Sequence, residues 1–342
     1  MKIASVMAGA LTGACVAMGA AGADEMQAPA FALPQEVVSA ATAFQQYMSG
    51  AAKIDAGFTD GDAVARGLKT ASAYETTQME EGMVAYGAIV ALQDERFVAG
   101  VERSAGRGDD RAIFAEQLIQ DPARATQVDG ADEAARRIEA ALSDRANALV
   151  TAGTNVKSAA YSVQHQGWSQ VTVSDAQGRL ADVKARSGER AAPSDDDNQA
   201  MLAALVAADP SAATGADQGA FTPIEARSLA LAAESVLGRA HSADRDRLTP
   251  LFSDVDSAEC LRMAKLDLYQ CMSVAGPQYE DIYCLGQHAM LETAKCVAGA
   301  AHGVGAPQVV ASLSPRPESA SAGNASYVPL AAHYRVKIDP NN

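Results

Sequence analysis

Hydrophobic residues in the middle of the chain recur at the spacing of one helix face. Large aliphatic side chains follow one another every seven residues, at Leu142, Leu149, Val156 and Val163. A small residue follows each of them by four positions, at Ala146, Gly153, Ala160 and Gly167. No proline interrupts the segment from Ala131 to about Gly167, and Asp129 stands where an N-cap belongs. The pattern predicts one long helix, packed closely against an antiparallel or coiled-coil-like neighbour. We expect this neighbour in the chain's own core rather than in a second copy.

Shorter segments of the same kind predict further helices on both sides. They cover residues 35–53, a stretch capped by Asp60, residues 80–101 and residues 111–120, which together with the long helix form a helical domain at 34–170. Residues 171–198 have the composition of a connector, and a second helical region follows at 199–298. Alternation with a period of two is scarce. The predicted fold class is therefore mainly α, a helical bundle with long antiparallel helices.

Four cysteines near the C-terminal end indicate a helical hairpin at 257–298. Cys260 and Cys271 lie eleven positions apart, close to one helix face, whereas the twelve positions between Cys284 and Cys296 predict an irregular second helix. A bond within either helix would have to span about 16–18 Å, far more than a disulfide allows. An antiparallel hairpin that turns near Gly276 places Cys271 opposite Cys284 and Cys260 opposite Cys296. We predict this nested pairing rather than a zinc or redox site, because the close ligand pairs of those sites are missing.

The nested pattern resembles the coiled-coil-helix-coiled-coil-helix proteins, which also join two helices of a hairpin by two disulfides. The resemblance covers about forty residues and departs from that family's spacing, because ten and eleven residues intervene here. It implies a similar local geometry, and no function is carried over from it.

The N-terminal segment is typical of a secretory signal peptide. Lys2 precedes a small-residue apolar stretch, and Ala21-Gly22-Ala23 offers a cleavage site before two acidic residues. We predict a signal peptide at 1–23, cleaved near Ala23, and a flexible leader at 24–33. At the other end, residues 299–342 are rich in Gly, Pro, Ser and Ala and predict a flexible tail with a short strand-like end around Tyr334. The protein is then periplasmic or secreted.

The charge of the chain limits its partners. Its formal net charge is −15, which repels nucleic acid and anionic lipid surfaces. After the signal peptide no segment has the roughly 18 uncharged apolar residues of a spanning helix. The partner expected from the sequence is another protein of the cell envelope.

Candidate chemistry is sparse. The sequence contains no zinc-protease, nucleophile-elbow or phosphate-loop motif, and its five histidines are scattered, so we expect no catalytic residue, cofactor or metal. Trp168, the single tryptophan, lies near His165, and the pair marks a possible ligand pocket, although a core aromatic residue that closes a helix end explains it as well.

Three functional hypotheses follow from these features. Export, acidity and the cysteine hairpin favour a non-enzymatic envelope scaffold or protein-binding protein. The alternatives are a polysaccharide or peptidoglycan hydrolase with paired carboxylates, and a small-molecule binding protein with its pocket near Trp168.

Overall fold

Helices make up most of the protein that the computed structural model describes, residues 33–207 and 220–303. Within these two ranges there are 13 α-helices and no β-strand, which confirms the mainly α fold. The α-helices are α1 Gln35–Ala52, α2 Gly61–Ala71, α3 Thr76–Ala91, α4 Glu95–Ala105, α5 Asp109–Gln120, α6 Ala131–Val163, α7 Ala176–Gly188, α8 Asp195–Ala207, α9 Pro223–Val236, α10 Arg245–Leu248, α11 Val255–Val274, α12 Gln278–Cys284 and α13 Thr293–His302. Three 3₁₀ segments and a π-helical segment complete them, at Pro122–Gln127, Ser242–Asp244, Thr249–Phe252 and, for the π segment, Leu285–Glu292.

Helices α3 and α9 form the centre of the fold, because nearly all of their residues are buried. Most of these residues are apolar or small, and buried polar ones such as Glu80 and Glu225 are hydrogen-bonded. Glycines let the neighbouring helices approach α3 closely: a Cβ atom on Gly82 would lie 2.6 Å from Cβ of Phe44 in α1. On Gly87 it would lie 2.4 Å from Oγ of Ser228 in α9. Small residues thus set the short distances between these helices.

The long helix predicted from the seven-residue spacing is α6. Its large seam residues from Leu142 to Val163 are buried, and the neighbour is the C-terminal helix of the same chain. A Cβ atom on Gly153 would lie 3.0 Å from the side chains of Met290 and Leu291. The helix ends at Val163, so Gly167 lies beyond it.

Asp129 does not cap α6, which corrects the sequence-based prediction. The cap residue is Gly130, with φ of 90°, because the chain turns there against the backbone of Phe97, where a Cβ atom would clash. The Asp129 carboxylate instead pairs with Arg96 at 2.6 Å and with Arg103 at 2.7 Å. These two ion pairs connect α4 to the residue that precedes the cap of α6.

Two predicted segments are divided differently in the structure. The stretch at 80–101 is broken between α3 and α4, because the Asp94 side chain accepts a hydrogen bond from the Phe97 N–H at 2.8 Å and starts a new helix. Residues 171–198 are not a plain connector, since they contain α7, which Leu180 and Val183 anchor in the core, and the start of α8.

The structure describes neither end of the chain. The predicted signal peptide, nearly all of the leader at 24–33, and the tail beyond 303 with its strand-like end lie outside the described residues. The first residues of the predicted tail are helical, because α13 continues to His302. Within the described ranges, none of the helices has the length and apolar character needed to span a membrane.

Candidate functional site

The cysteine hairpin, residues Val255–His302, is the best-defined surface feature of the protein. Its first helix, α11, begins after Asp254, whose side chain accepts a hydrogen bond from the Ser257 N–H at 3.1 Å. The chain turns after Val274 and returns through α12, the π segment and α13. The returning helix buries one side against α6, so α11 is the outer of the two antiparallel helices along much of the hairpin.

Two disulfides join the helices of the hairpin in the predicted nested order. Cys260 bonds to Cys296 with a Cα–Cα distance of 5.6 Å, and Cys271 bonds to Cys284 with a distance of 5.7 Å. Both distances are ordinary for a disulfide. The hairpin is therefore held at both ends, and α11 cannot separate from its partner without breaking a covalent bond.

The π segment explains the unequal spacing of the cysteines. A π turn closes i→i+5 hydrogen bonds and accommodates an extra residue inside a helix. The segment at Leu285–Glu292 lies between Cys284 and Cys296, which are twelve positions apart instead of eleven. The second helix is thus irregular, as the spacing predicts, and the extra residue brings Cys296 back to the seam with α11.

The outer side of α11 carries a row of apolar side chains that are open to solvent. The set is Val255, Met263, Leu266 and Val274, which we call the apolar face of α11; these four are 42% to 81% exposed. At about 100° per residue they fall within an arc of about 100° on the helix. They make up half of the large apolar side chains that are exposed among the described residues, so the apolar surface is concentrated here.

Charged residues interrupt the apolar face. At about 100° per residue, Glu259 falls between Leu266 and Met263 around the helix, and Asp256 falls at the edge of the arc. Both are exposed on the N-terminal half of the helix, and Asp267 is half-buried near its middle. Arg262 pairs with Glu259 on the same surface. The surface of α11 around the apolar side chains is therefore more acidic than basic, in keeping with the charge of the whole chain.

The opposite side of α11 is fixed by a buried lysine. Lys265 is 8% exposed, and its ammonium donates hydrogen bonds to the carbonyl oxygens of Tyr74 and Ser187. It also lies 4.2 Å from the centre of the Tyr74 ring. Burial lowers the pKa of Lys265 from 10.5 to about 8. The lysine connects α11 to the end of α7 and to the segment before α3.

Three potential metal ligands meet between the two disulfides. Asp267 from α11 and His288 and Glu292 from the π segment each place one ligand atom within 4.8 Å of the others, and all three are partly buried. Nδ1 of His288 lies 2.9 Å from each carboxylate oxygen of Glu292. We call these residues the carboxylate–histidine group. The sequence does not predict this group, because Asp267 comes from a different helix.

The surroundings of this group hold its side chains in place. The Gln287 amide donates a hydrogen bond to Glu292 at 3.1 Å, and Lys157 of α6 donates one to the Gln287 carbonyl at 2.7 Å. The ring of Tyr283 meets the His288 imidazole edge-on. Burial tends to raise the pKa of Glu292, but its hydrogen bonds with His288 and Gln287 outweigh this effect and lower the pKa.

Trp168 and His165, the residues of the predicted ligand pocket, follow the end of α6. Trp168 packs partly against the core and donates a hydrogen bond to the Gln166 side chain at 2.7 Å, while His165 is exposed. A nearby cavity of about 240 Å³ is lined instead by residues around the Cys271–Cys284 disulfide. This volume is smaller than that of a usual small-molecule site. The pocket hypothesis therefore gains no support from this pair.

Carboxylates with a raised pKa lie in the core. Burial raises the pKa of Glu80 and that of Glu225 to about 7. Glu80 accepts a hydrogen bond from the Asp254 N–H, and Glu225 accepts one from the Thr222 N–H. Both glutamates are less than 5% exposed and bind the starts of helices, which is a structural role. They do not support the hydrolase hypothesis.

The comparisons with known proteins do not add a relative. No protein-family model, no curated protein and no solved structure matches this chain.

Proposed function

We propose that this protein is an exported, non-enzymatic binding protein, and that it binds another protein of the cell envelope through the apolar face of α11. The observation that carries the proposal is the concentration of exposed apolar side chains on one face of a helix that two disulfides hold in place.

Rigidity supports a role in binding. Association is weakened when flexible groups must become ordered at the interface, and a surface that is already fixed avoids this cost. The disulfides hold α11 at Cys260 and Cys271, and Lys265 fixes its inner side between them. The apolar face is thus presented in one conformation.

The chemistry of the face indicates the kind of partner. Apolar side chains at helical spacing pack against the apolar side of an amphipathic helix or against an apolar groove. Asp256 lies exposed at the edge of the arc, and Glu259 lies within it, paired with Arg262, so the acidic Asp256 favours a basic residue at the contact on the partner. The proposed partner is therefore a protein surface that combines apolar and basic residues.

Two features support a location outside the cytoplasm. Disulfides persist in oxidising compartments and are rare in reducing ones. The N-terminal pattern that ends at Ala23 is typical of a signal peptide. Both are consistent with a place in the periplasm or outside the cell.

Site-specific photocrosslinking in intact cells tests the proposal. A photoreactive amino acid is placed at Leu266 in the apolar face, and in a matched control at Ile113, a half-exposed apolar residue on α5. We expect a discrete adduct with one other protein from position 266 and none from position 113. The same adduct from both positions, or an adduct only with a second copy of this chain, would contradict the proposal.

A further inference from the structure

We propose that Asp267, His288 and Glu292 form a binding site for one divalent transition-metal ion, with Zn²⁺ as the best match. This proposal is independent of the binding role of the apolar face. It rests on the type of the ligands, their distances and the way in which the hairpin holds them.

The ligand types fit zinc. Zn²⁺ binds imidazole nitrogen and carboxylate oxygen at about 2.0–2.2 Å. One imidazole and two carboxylates supply three such ligands, and the two negative charges balance the charge of the ion. Mg²⁺ and Ca²⁺ prefer ligand sets made only of oxygen. The histidine therefore favours a transition metal.

The distances also fit. Two atoms that each lie about 2.1 Å from one metal ion are roughly 3.0–3.4 Å apart at square or tetrahedral angles. Nδ1 of His288 and the carboxylate of Glu292 are already 2.9 Å apart. Asp267 lies within 4.8 Å of both ligand atoms, so rotation of its side chain completes the set.

The hairpin holds the three ligands in position before an ion arrives. Asp267 lies one turn before Cys271, and Glu292 lies four residues before Cys296, so a disulfide fixes the helix spacing on each side of the group. The π segment places His288 and Glu292 together toward α11, and π turns inside α-helices frequently occur at functional sites. The Gln287 amide is not one of the three ligands, but its hydrogen bond holds the Glu292 carboxylate in position.

Three protein ligands leave at least one coordination position for water or for a group from a bound partner. The ammonium of Lys157 donates a hydrogen bond to Gln287 at the edge of the group, and its positive charge weakens the binding of a metal ion. We therefore expect moderate affinity, and the ion would also connect α11 to the π segment.

Isothermal titration of the purified, oxidised protein with ZnCl₂ in chelator-treated buffer tests the site. We expect one ion per chain, with binding weakened at least tenfold by His288→Ala and by Asp267→Asn. The matched control is His302→Gln: His302 also bonds a carboxylate, Glu139 at 2.7 Å, but its other nitrogen contacts Ser143, and it should change affinity less than twofold.

X-ray absorption of the zinc-loaded protein provides the second measurement. The expected shell contains nitrogen and oxygen neighbours with imidazole scattering and no sulfur. The proposal is overturned if the oxidised protein shows no saturable binding, if both site variants bind as the wild type does, or if sulfur ligates the ion. Circular dichroism of each variant checks that its fold is intact, and Asp267→Asn remains informative if His288→Ala is not folded.

Discussion

Glu225 offers a sharp test of the electrostatics of the core. The residue forms a capping box at the start of α9, in which its carboxylate accepts a hydrogen bond from the Thr222 N–H at 2.8 Å. In return, the Glu225 N–H donates to the Thr222 hydroxyl at 3.1 Å. Glutamine serves equally in a capping box. The substitution Glu225→Gln therefore keeps the cap and removes the titrating group.

The size of the expected change in stability follows from the shift in the pKa of Glu225. Burial raises the pKa of Glu225 from 4.5 to about 7, so the folded state binds the proton more tightly than the unfolded state. The stability that this group contributes is fully present below about pH 4.5 and is lost as the pH rises through 7. At about 1.4 kcal/mol for each pKa unit, the change amounts to about 3 kcal/mol.

Urea denaturation at a series of pH values, followed by far-UV circular dichroism, measures this change. We expect the free energy of unfolding of the wild type to fall by about 3 kcal/mol relative to Glu225→Gln between about pH 4 and pH 8. The comparison variant Thr222→Ala weakens the cap but keeps the titrating group, so it should cost about 1 kcal/mol and still lose stability as the pH rises. If wild type and Glu225→Gln give parallel curves, Glu225 ionises normally and the reasoning is wrong.

Three further experiments test other parts of the structure. The pKa of Lys265 is lowered to about 8 in the folded protein. As the pH rises from 8 toward 10.5, the free energy of unfolding of the wild type should therefore increase by up to about 3 kcal/mol relative to that of Lys265→Met, as measured by urea denaturation. Gly286→Ala places a Cβ atom 2.5 Å from the backbone of α6 and should cost about 2 kcal/mol, whereas Gly299→Ala meets nothing within 4 Å and should not lower the melting temperature. Replacing Cys271 and Cys284 together with serine should cost about 3 kcal/mol in thermal or chemical unfolding; an unchanged stability would show that the bond does not constrain the hairpin.

Local spacing explains what the sequence predicts well. The seam of α6 depends on residues four and seven positions apart, and the pairing of the cysteines follows from the short reach of a disulfide. Both are constraints within one helix or one hairpin. The break at Asp94 and the helix α7 were missed because a single capping side chain and two apolar anchors, Leu180 and Val183, decide them.

The candidate sites depend on tertiary structure. The apolar residues of α11 alternate with those of its buried side, and only the position of the neighbouring helices shows that Leu266 is exposed while Leu268 is buried. The carboxylate–histidine group joins Asp267 to residues more than twenty positions later. Two local signals were present: the i,i+4 pair of His288 and Glu292, and the extra residue between Cys284 and Cys296.

The central claim is that the apolar face of α11 binds a partner protein. Its most direct test is affinity capture after chemical cross-linking in intact cells, with the partner quantified for wild type, Leu266→Glu and the control Ile113→Glu. Both substitutions add one charge at an exposed helical position, so their melting temperatures should match that of the wild type. We predict at least a tenfold loss of the partner for Leu266→Glu and no change for Ile113→Glu. Equal recovery of the partner with all three proteins would contradict the claim.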